Sequence, residues 1–346
     1  MNIVKDGDGG TYMGTLVAGQ FHGKGVYNYG NGDVYDGHFE KGKKHGSGVL
    51  IYANGDILEG QFVEGKCCGM GVYSFANGSC YEGSFINGKY HGEGTLRLAD
   101  GSEYYGEWFE DFRHGRGKSI SKNGDSYLGE YSLGKRHGRG VFLSHTGSRY
   151  AGEYANDRRH GKGVYTFSNG DEYTGDYVDD ERSGTGIMTY AKGDKYEGEY
   201  KFDSKNGRGQ YIFADGNMYV GDFLHGKYHG RGSYSSNDGS KYTGGFSEGK
   251  FSGQGVFVSA NGERYEGEWK NDKCCGKGRY LSPSGDTYEG EFRAGLFHGL
   301  GVHVSARGDT YIGRFRDGRF DGKGSLTLVT GEIQDGLFSD GAFVGI

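Results

Sequence analysis

From Tyr265 the chain runs Tyr265-Glu266-Gly267-Glu268-Trp269-Lys270, apolar or small residues alternating strictly with polar ones. A period of two places Tyr265, Gly267 and Trp269 on one face and Glu266, Glu268 and Lys270 on the other, the pattern of a half-buried strand. A polar turn follows, ending in most copies at His-Gly. A second strand then carries Gly276, Gly278 and Tyr280 on one face. The next turn centres on Asn-Gly or Asp-Gly in nine of fourteen copies, as at Asn31-Gly32 and Asp100-Gly101. That dipeptide is a strong hairpin signal and implies positive φ at both of its residues. Two tight connections per copy predict a continuous antiparallel meander.

The copies repeat every 23 residues. Tyr12, Tyr35, Tyr81 and ten further tyrosines as far as Tyr311 fall on one lattice without an insertion, and Leu58 and Gln334 fill its two remaining points. Counting the lattice point as position 1, glycine recurs at positions 3, 12, 14 and 21 and often at 8, and these hold 69 of the 73 glycines. Position 5 is Phe, Tyr or Trp in every copy but the first, where it is Leu16. The organisation expected is an N-terminal partial repeat at 1–11, fourteen full repeats at 12–333 and a truncated fifteenth at 334–346. Glycine weakens a strand unless something needs its bare backbone. The expected reason is a ring lying flat over it, so that Gly267→Val produces a clash. One repeat buries too little apolar surface to fold alone, so neighbours must stack, and stability becomes a nearest-neighbour sum. The fold expected is all-β: an elongated single-sheet antiparallel β-hairpin repeat solenoid, roughly 145 Å long at about 4.8 Å per strand.

Composition narrows the class. With 73 Gly but no Gly-X-Y period the chain is not collagen-like, and 29 Tyr and 21 Phe are too many for a disordered linker. A net charge of −6 argues against general nucleic-acid binding. The start, MNIVKDGDGG, lacks the apolar core of a signal peptide, and no apolar run reaches the roughly 20 residues of a membrane span. Five cysteines are too sparse for a disulfide scaffold. The expectation is a soluble cytoplasmic protein.

Enzyme chemistry finds no support. There is no kinase signature, and the carboxylates follow the lattice as a solvent face would. No cofactor is expected. The run Asp6-Gly7-Asp8-Gly9 fails as a calcium loop because Val17 stands where the loop's final Glu belongs. Histidine occupies position 11 in eight repeats, but rungs about 10 Å apart cannot share one zinc. Cys67-Cys68 and Cys274-Cys275 occupy positions 10 and 11 of repeats three and twelve. They read as rungs that happen to carry sulfur. A sharper alternative is an intermolecular metal site, since an end-to-end antiparallel dimer brings the two pairs together.

Three binding surfaces are candidates. An aromatic groove is expected from Tyr35, Phe39, Tyr81, Phe85, Tyr173, Tyr177, Tyr265 and Trp269. Its character varies at position 18, which holds Tyr29, Tyr52 and Phe75 early, Phe167, Tyr190 and Phe213 midway, and serines later. A basic row is expected at the hairpin tips from Lys43, Lys44, Lys135, Arg136, Arg158 and Arg159, suited to anionic phosphoinositide headgroups. An apolar, unfinished C-terminal edge with Phe315, Phe338, Phe343, Val344 and Ile346 invites pairing with a second copy.

The stretches YEGEWKNDKCCGKGRYLSPSGDT and YDGHFEKGKKHGSGVLIYANGDI resemble the MORN repeat, whose pattern is Tyr-x-Gly-x-Trp/Phe, then Gly-Lys, then His-Gly-x-Gly. The resemblance covers essentially the whole chain and implies its fold. A chain built only of such repeats is similar to the cytoskeletal scaffold proteins of protists. That likeness implies a non-enzymatic, cytoskeleton-associated adaptor that homodimerises through C-terminal repeats and binds cytoskeletal proteins. The alternative it implies is a phosphoinositide-binding tether at the inner face of the plasma membrane.

Overall fold

The computed structural model describes residues 2–5 and 7–346. Met1 and Asp6, both in the expected N-terminal partial repeat and the latter in the rejected calcium-loop run, lie outside the described residues. The described residues form 31 strands, numbered here in chain order, and no helix. Each repeat supplies a seven-residue and a nine-residue strand, for example β4 (Val34–Glu40) and β5 (Lys43–Ile51).

The chain divides into two compact units, residues 1–169 with 177–180, and residues 170–176 with 181–346. In the first, consecutive strands from β1 (Asn2–Lys5) to β15 (Arg158–Thr166) pair antiparallel with one another. In the second, β17 (Glu181–Thr189) through β31 (Ala342–Gly345) do the same. The expected antiparallel meander is therefore present in each unit.

Both turns differ from expectation in detail. The connection from β4 to β5 is only two residues, Lys41 and Gly42, with φ of 50° and 80°. Paired positive φ values mark the mirror-image turn that matches strand twist. His45-Gly46 therefore lies inside β5, not at the end of a turn. Gly37 pairs with Gly48 but His38 pairs with His45, so Gly46 and Ser47 form a bulge, with Gly46 at φ 59°. A glycine needed for a bulge and one needed for a turn look alike in sequence.

The Asn-Gly turn is a longer loop than the two-residue hairpin expected. Only Gly32 has positive φ, at 94°. Its N–H donates to the Tyr29 carbonyl at 3.1 Å, and the Tyr29 N–H donates to the Asp33 carbonyl at 2.8 Å. The Asn31 side chain accepts the Asp33 N–H at 3.1 Å, which holds Asn31 out of the left-handed region.

The core is a column of rings lying on bare backbone. Tyr35 is fully buried, and its hydroxyl donates to the His38 carbonyl at 3.2 Å. A Cβ added to Gly37 or Gly48 would stand 2.4 or 2.2 Å from that hydroxyl. This is the packing reason expected for the strand glycines, except that the ring belongs to the repeat's own lattice tyrosine.

Side chains also stitch one repeat to the next. The Ala53 N–H donates to the Asp33 carboxylate and the Ala76 N–H to Asp56, each at 2.8 Å. In the second unit Ala214 donates to Asp194 at 2.9 Å and Ala306 to Asp286 at 2.8 Å. At the opposite hairpin end, the Arg136 N–H donates to Asp157 and the Arg182 N–H to Asp203, both at 2.9 Å.

Candidate interaction face

The eight rings expected to line an open groove are all buried, which corrects that expectation. Tyr35 meets Phe39 and Phe62 edge-on, each at 5.1 Å between centroids. Tyr81 meets Phe85 edge-on at 5.3 Å and stacks flat on Tyr90 at 3.6 Å. Tyr265 and Trp269 stand at 89° and 5.0 Å. Tyr173 and Tyr177 are equally enclosed. From Tyr35 onward the position-5 rings of a repeat and its successor roof the lattice tyrosine, whereas Tyr12 has Phe39 of the next repeat but Leu16 in its own, so the chain fills its own groove.

What stays half exposed on this face is the adjoining row at positions 16 and 18. In the first unit it includes Tyr29, Tyr52, Tyr73, Phe75, Tyr165 and Phe167; in the second, Tyr190, Tyr211, Phe213, Tyr234, Phe257 and Tyr280. The rings touch, with Tyr73 and Phe75 at 4.6 Å and Tyr211 and Phe213 also at 4.6 Å. Carboxylates fix two of them: the Tyr73 hydroxyl donates to Asp56 at 2.8 Å and that of Tyr211 to Asp194 at 2.5 Å. Later in the second unit position 18 turns to serine. The Ser282 hydroxyl, for instance, accepts the Asp286 N–H at 2.9 Å and closes its own turn.

The expected basic row is split in two. Because the turn has only two residues, positions 9 and 10 are already in a strand, where successive side chains leave opposite faces. Lys43, Lys135 and Arg158 are exposed, whereas Lys44, Arg136 and Arg159 pack among rings. Lys44 lies 5.7 Å from the centroids of Tyr35 and Phe62. Arg136 lies 5.1 Å from Tyr154, and Arg159 lies 5.1 Å from Tyr177. Both arginines also meet acids of the following repeat, Arg136 with Asp157 at 3.4 Å and Arg159 with Asp180 at 3.0 Å. On the other face Lys43 pairs with Glu64, and Arg158 with Asp179 at 3.8 Å. The acids of adjacent repeats thus neutralise many of these cations.

In the second unit the same position carries Arg182, 5.3 Å from Tyr200, and Lys205, enclosed by Tyr190, Tyr196 and Tyr211 at 5.3, 5.0 and 4.3 Å. Burial pushes the Lys205 ammonium down to about 8; the charge of Arg182 adds to the effect and that of Asp194 opposes it. Sequence reading passed over Arg182 and Lys205. Their signal was present: in all four repeats whose position 5 is Tyr, at Tyr131, Tyr154, Tyr177 and Tyr200, position 10 is cationic.

The cysteines occupy rungs. Cys67 is buried opposite Phe62, and its thiol is pushed up to about 11 by burial. Cys274 sits opposite Trp269, its thiol raised by burial to about 12. Each neighbour, Cys68 or Cys275, leaves the other face of its strand. The two sulfurs of a pair therefore do not converge, which corrects the idea of two pairs meeting around one metal. Among the described residues no cluster of three or more metal-ligating side chains is present.

At the C-terminal end, Phe315 and Phe338 are core rings, each about 5.0 Å from a lattice tyrosine, and offer no free surface. They drop out of the expected interface. Phe343, Val344 and Ile346 on or after β31 remain exposed.

Comparison with known proteins places this geometry. The profile of the MORN repeat matches fourteen consecutive segments, 12–34, 35–57, 59–80, 81–103, 104–126, 127–149, 150–172, 173–195, 196–218, 219–241, 242–264, 265–287, 288–310 and 311–333. The third starts at 59, just after Leu58 replaces the lattice tyrosine. No curated relative matches the chain. Among solved structures, the chain is similar to the TCP10 domain of Danio rerio CPAP in complex with a STIL peptide. Identity is 12%, covering 69% of this chain and 94% of that one, with a TM-score of 0.32. It is also similar to the Drosophila melanogaster SAS-4 TCP domain bound to a proline-rich motif of Ana2. There identity is 13%, covering 50% and 86%, with a TM-score of 0.28.

Proposed function

The chain belongs to the MORN repeat family, and on that premise we propose that it is a non-enzymatic scaffold whose repeats bind other proteins. MORN repeats serve as protein- or membrane-binding modules and are not an enzymatic family. The observation that carries the protein-binding reading is the half-exposed ring row, Tyr29, Tyr52, Tyr73 and Phe75 in the first unit and Tyr190, Tyr211 and Phe213 in the second. Rings held on a rigid sheet, with a polar atom at one end, bind partner side chains at small entropic cost. The membrane-tether reading draws less support, because the basic row is split between two faces and largely paired. The partners proposed are cytoskeletal proteins and a second copy of the chain, the latter through exposed Phe343 and Val344.

Proximity labelling with the wild-type chain and with the Tyr52→Ser, Phe75→Ser double variant tests this. The expected result is a defined partner set that the variant loses while remaining folded. An unchanged partner set in the variant overturns the assignment of the ring row. Sedimentation with phosphoinositide vesicles is the second arm. Vesicle-dependent pelleting that fades with salt would make the membrane reading the better one.

A further inference from the structure

The outer face of the second unit, opposite the rings, carries a row of acids at position 4. Asp176, Glu199, Asp222, Glu268 and Glu291 hold it, and Gly245 interrupts it. The acid does two things. It accepts the N–H of position 13 in its own repeat, as Glu199 does from Arg208 at 3.0 Å, Asp222 from Arg231 at 3.1 Å and Glu268 from Lys277 at 3.3 Å. It also lies directly across the sheet from position 13 of the preceding repeat, as Asp222 lies opposite Arg208, with 3.7 Å between carboxylate and guanidinium.

Gly245 lies directly opposite Arg231 and can do neither. It offers no carboxylate to the Gln254 N–H and none to the Arg231 guanidinium. Arg231 is exposed and, among the described residues, its side chain has no ion pair. The backbone has closed in as well: a Cβ on Gly245 would stand 2.2 Å from the Ser252 carbonyl oxygen, so an acid built in at 245 is refused. Over this spot lies an open groove of about 950 Å³. Arg208, Val220, Arg231, Ser233, Thr243 and Gln254 form part of its lining, and backbone glycines form its floor.

We propose that the groove over Gly245 binds a carboxylate presented by a partner chain, an Asp or Glu side chain that takes the place the row's own acid holds in neighbouring repeats. One oxygen meets the Gln254 N–H and the other the Arg231 guanidinium, a charge-assisted pair of bonds. Glu197 and Asp222 in the same groove wall favour a single negative charge over a phosphate dianion. This deepens the protein-binding reading and rests on it.

The test is a titration of the isotope-labelled full chain with acetyl-(Glu)4-amide, followed by amide and arginine side-chain NMR. Acetyl-(Gln)4-amide and inorganic phosphate at matched ionic strength are the other arms. The expected result is a saturable shift centred on Gly245, Gln254 and Arg231 with the glutamate peptide alone. Arg231→Gln should weaken it by at least about tenfold. Arg279→Gln removes a charge already paired with Glu289 at 3.0 Å and should leave binding unchanged. Equal shifts with the glutamine peptide, equal or stronger shifts with phosphate, shifts spread over all basic residues, or indifference to Arg231→Gln would each overturn the proposal. Partner capture that persists while the peptide gives no localised shift refutes this site and leaves the scaffold reading standing. A localised shift from a chain that captures no partner does the reverse.

Discussion

The Asp33 carboxylate accepts the backbone N–H of Ala53 at 2.8 Å, joining the same turn of two successive repeats twenty residues apart. The bond is absent from any single hairpin. It exists only between stacked copies, so it measures coupling between them. Asp33→Ala should weaken that coupling by about 1 kcal/mol. Hydrogen exchange at Ala53 should then quicken about fivefold, with distant repeats unaffected. Asp33→Asn keeps an acceptor and should recover most of the protection. A uniform change along the chain would contradict a local staple.

Gly267 is the sharpest steric test. A Cβ there would stand 2.6 Å from Gly278 Cα, from the Lys277 carbonyl and from the Tyr265 hydroxyl, and two of these are backbone atoms that cannot step aside. Gly267→Val should cost about 3 kcal/mol or more in urea unfolding. Gly7→Ala, where nothing lies within 4 Å, should cost little.

Arg159 packs its guanidinium 5.3 Å from Tyr165 and 5.1 Å from Tyr177 while meeting Asp180 at 3.0 Å. Arg159→Ala loses both the ring contact and the stem packing and should destabilise by about 1–2 kcal/mol. Arg159→Lys should recover only part of this, because an ammonium cannot spread over two rings while donating, as the guanidinium does, to both the Asp180 carboxylate and the Asp180 backbone carbonyl. Thermal unfolding of the three proteins checks the order.

Lys205 gives a pH dependence of defined sign. Its folded value near 8 lies below the roughly 10.4 of an unfolded lysine. Between those values the unfolded chain holds the proton that the folded chain has released, so this group's contribution to stability rises with pH. Lys205→Met should therefore stabilise at pH 7 by on the order of 1 kcal/mol, discounted for partial solvent screening. The gap to wild type should close as pH rises from 8 to 10. A destabilised variant at pH 7 would mean that contact with the three tyrosine rings outweighs the burial of the charge.

The thiols should react unequally. Cys67 and Cys274 have values raised by burial to about 11 and about 12, so few thiolates form at pH 8. Alkylation by iodoacetamide, read by mass spectrometry, should label the more accessible Cys68 first and leave Cys67 and Cys274 largely unmodified until the chain is denatured. Equal rates at Cys67 and Cys68 would place both sulfurs in solvent and contradict the rung assignment.

Much of the fold was legible because its determinants are local. The tyrosine lattice fixed the repeat, the alternation around Tyr265 fixed the strands, and the glycines pointed to rings lying on bare backbone. The candidate site was less legible. Lys43 and Lys44 read as neighbours at one hairpin tip, yet they leave opposite faces, because the turn closes at Lys41-Gly42 and the strand begins sooner than His45-Gly46 suggested. Whether a glycine serves a turn or a bulge shifts the phase of every following side chain.

The sequence by itself determined the period, the strand faces and the need for repeats to stack, since spacing and turn chemistry act within a few residues. Only the tertiary structure decided which rings remain accessible. Tyr35 and Tyr52 are both aromatic residues on one face, but Tyr35 is roofed by Phe39 and Phe62 while Tyr52 stays half exposed. The Asp33–Ala53 staple, the cage around Lys205 and the acid missing opposite Arg231 are likewise relations between repeats. Each depends on how one copy lies against the next, which the residues of a single copy do not specify.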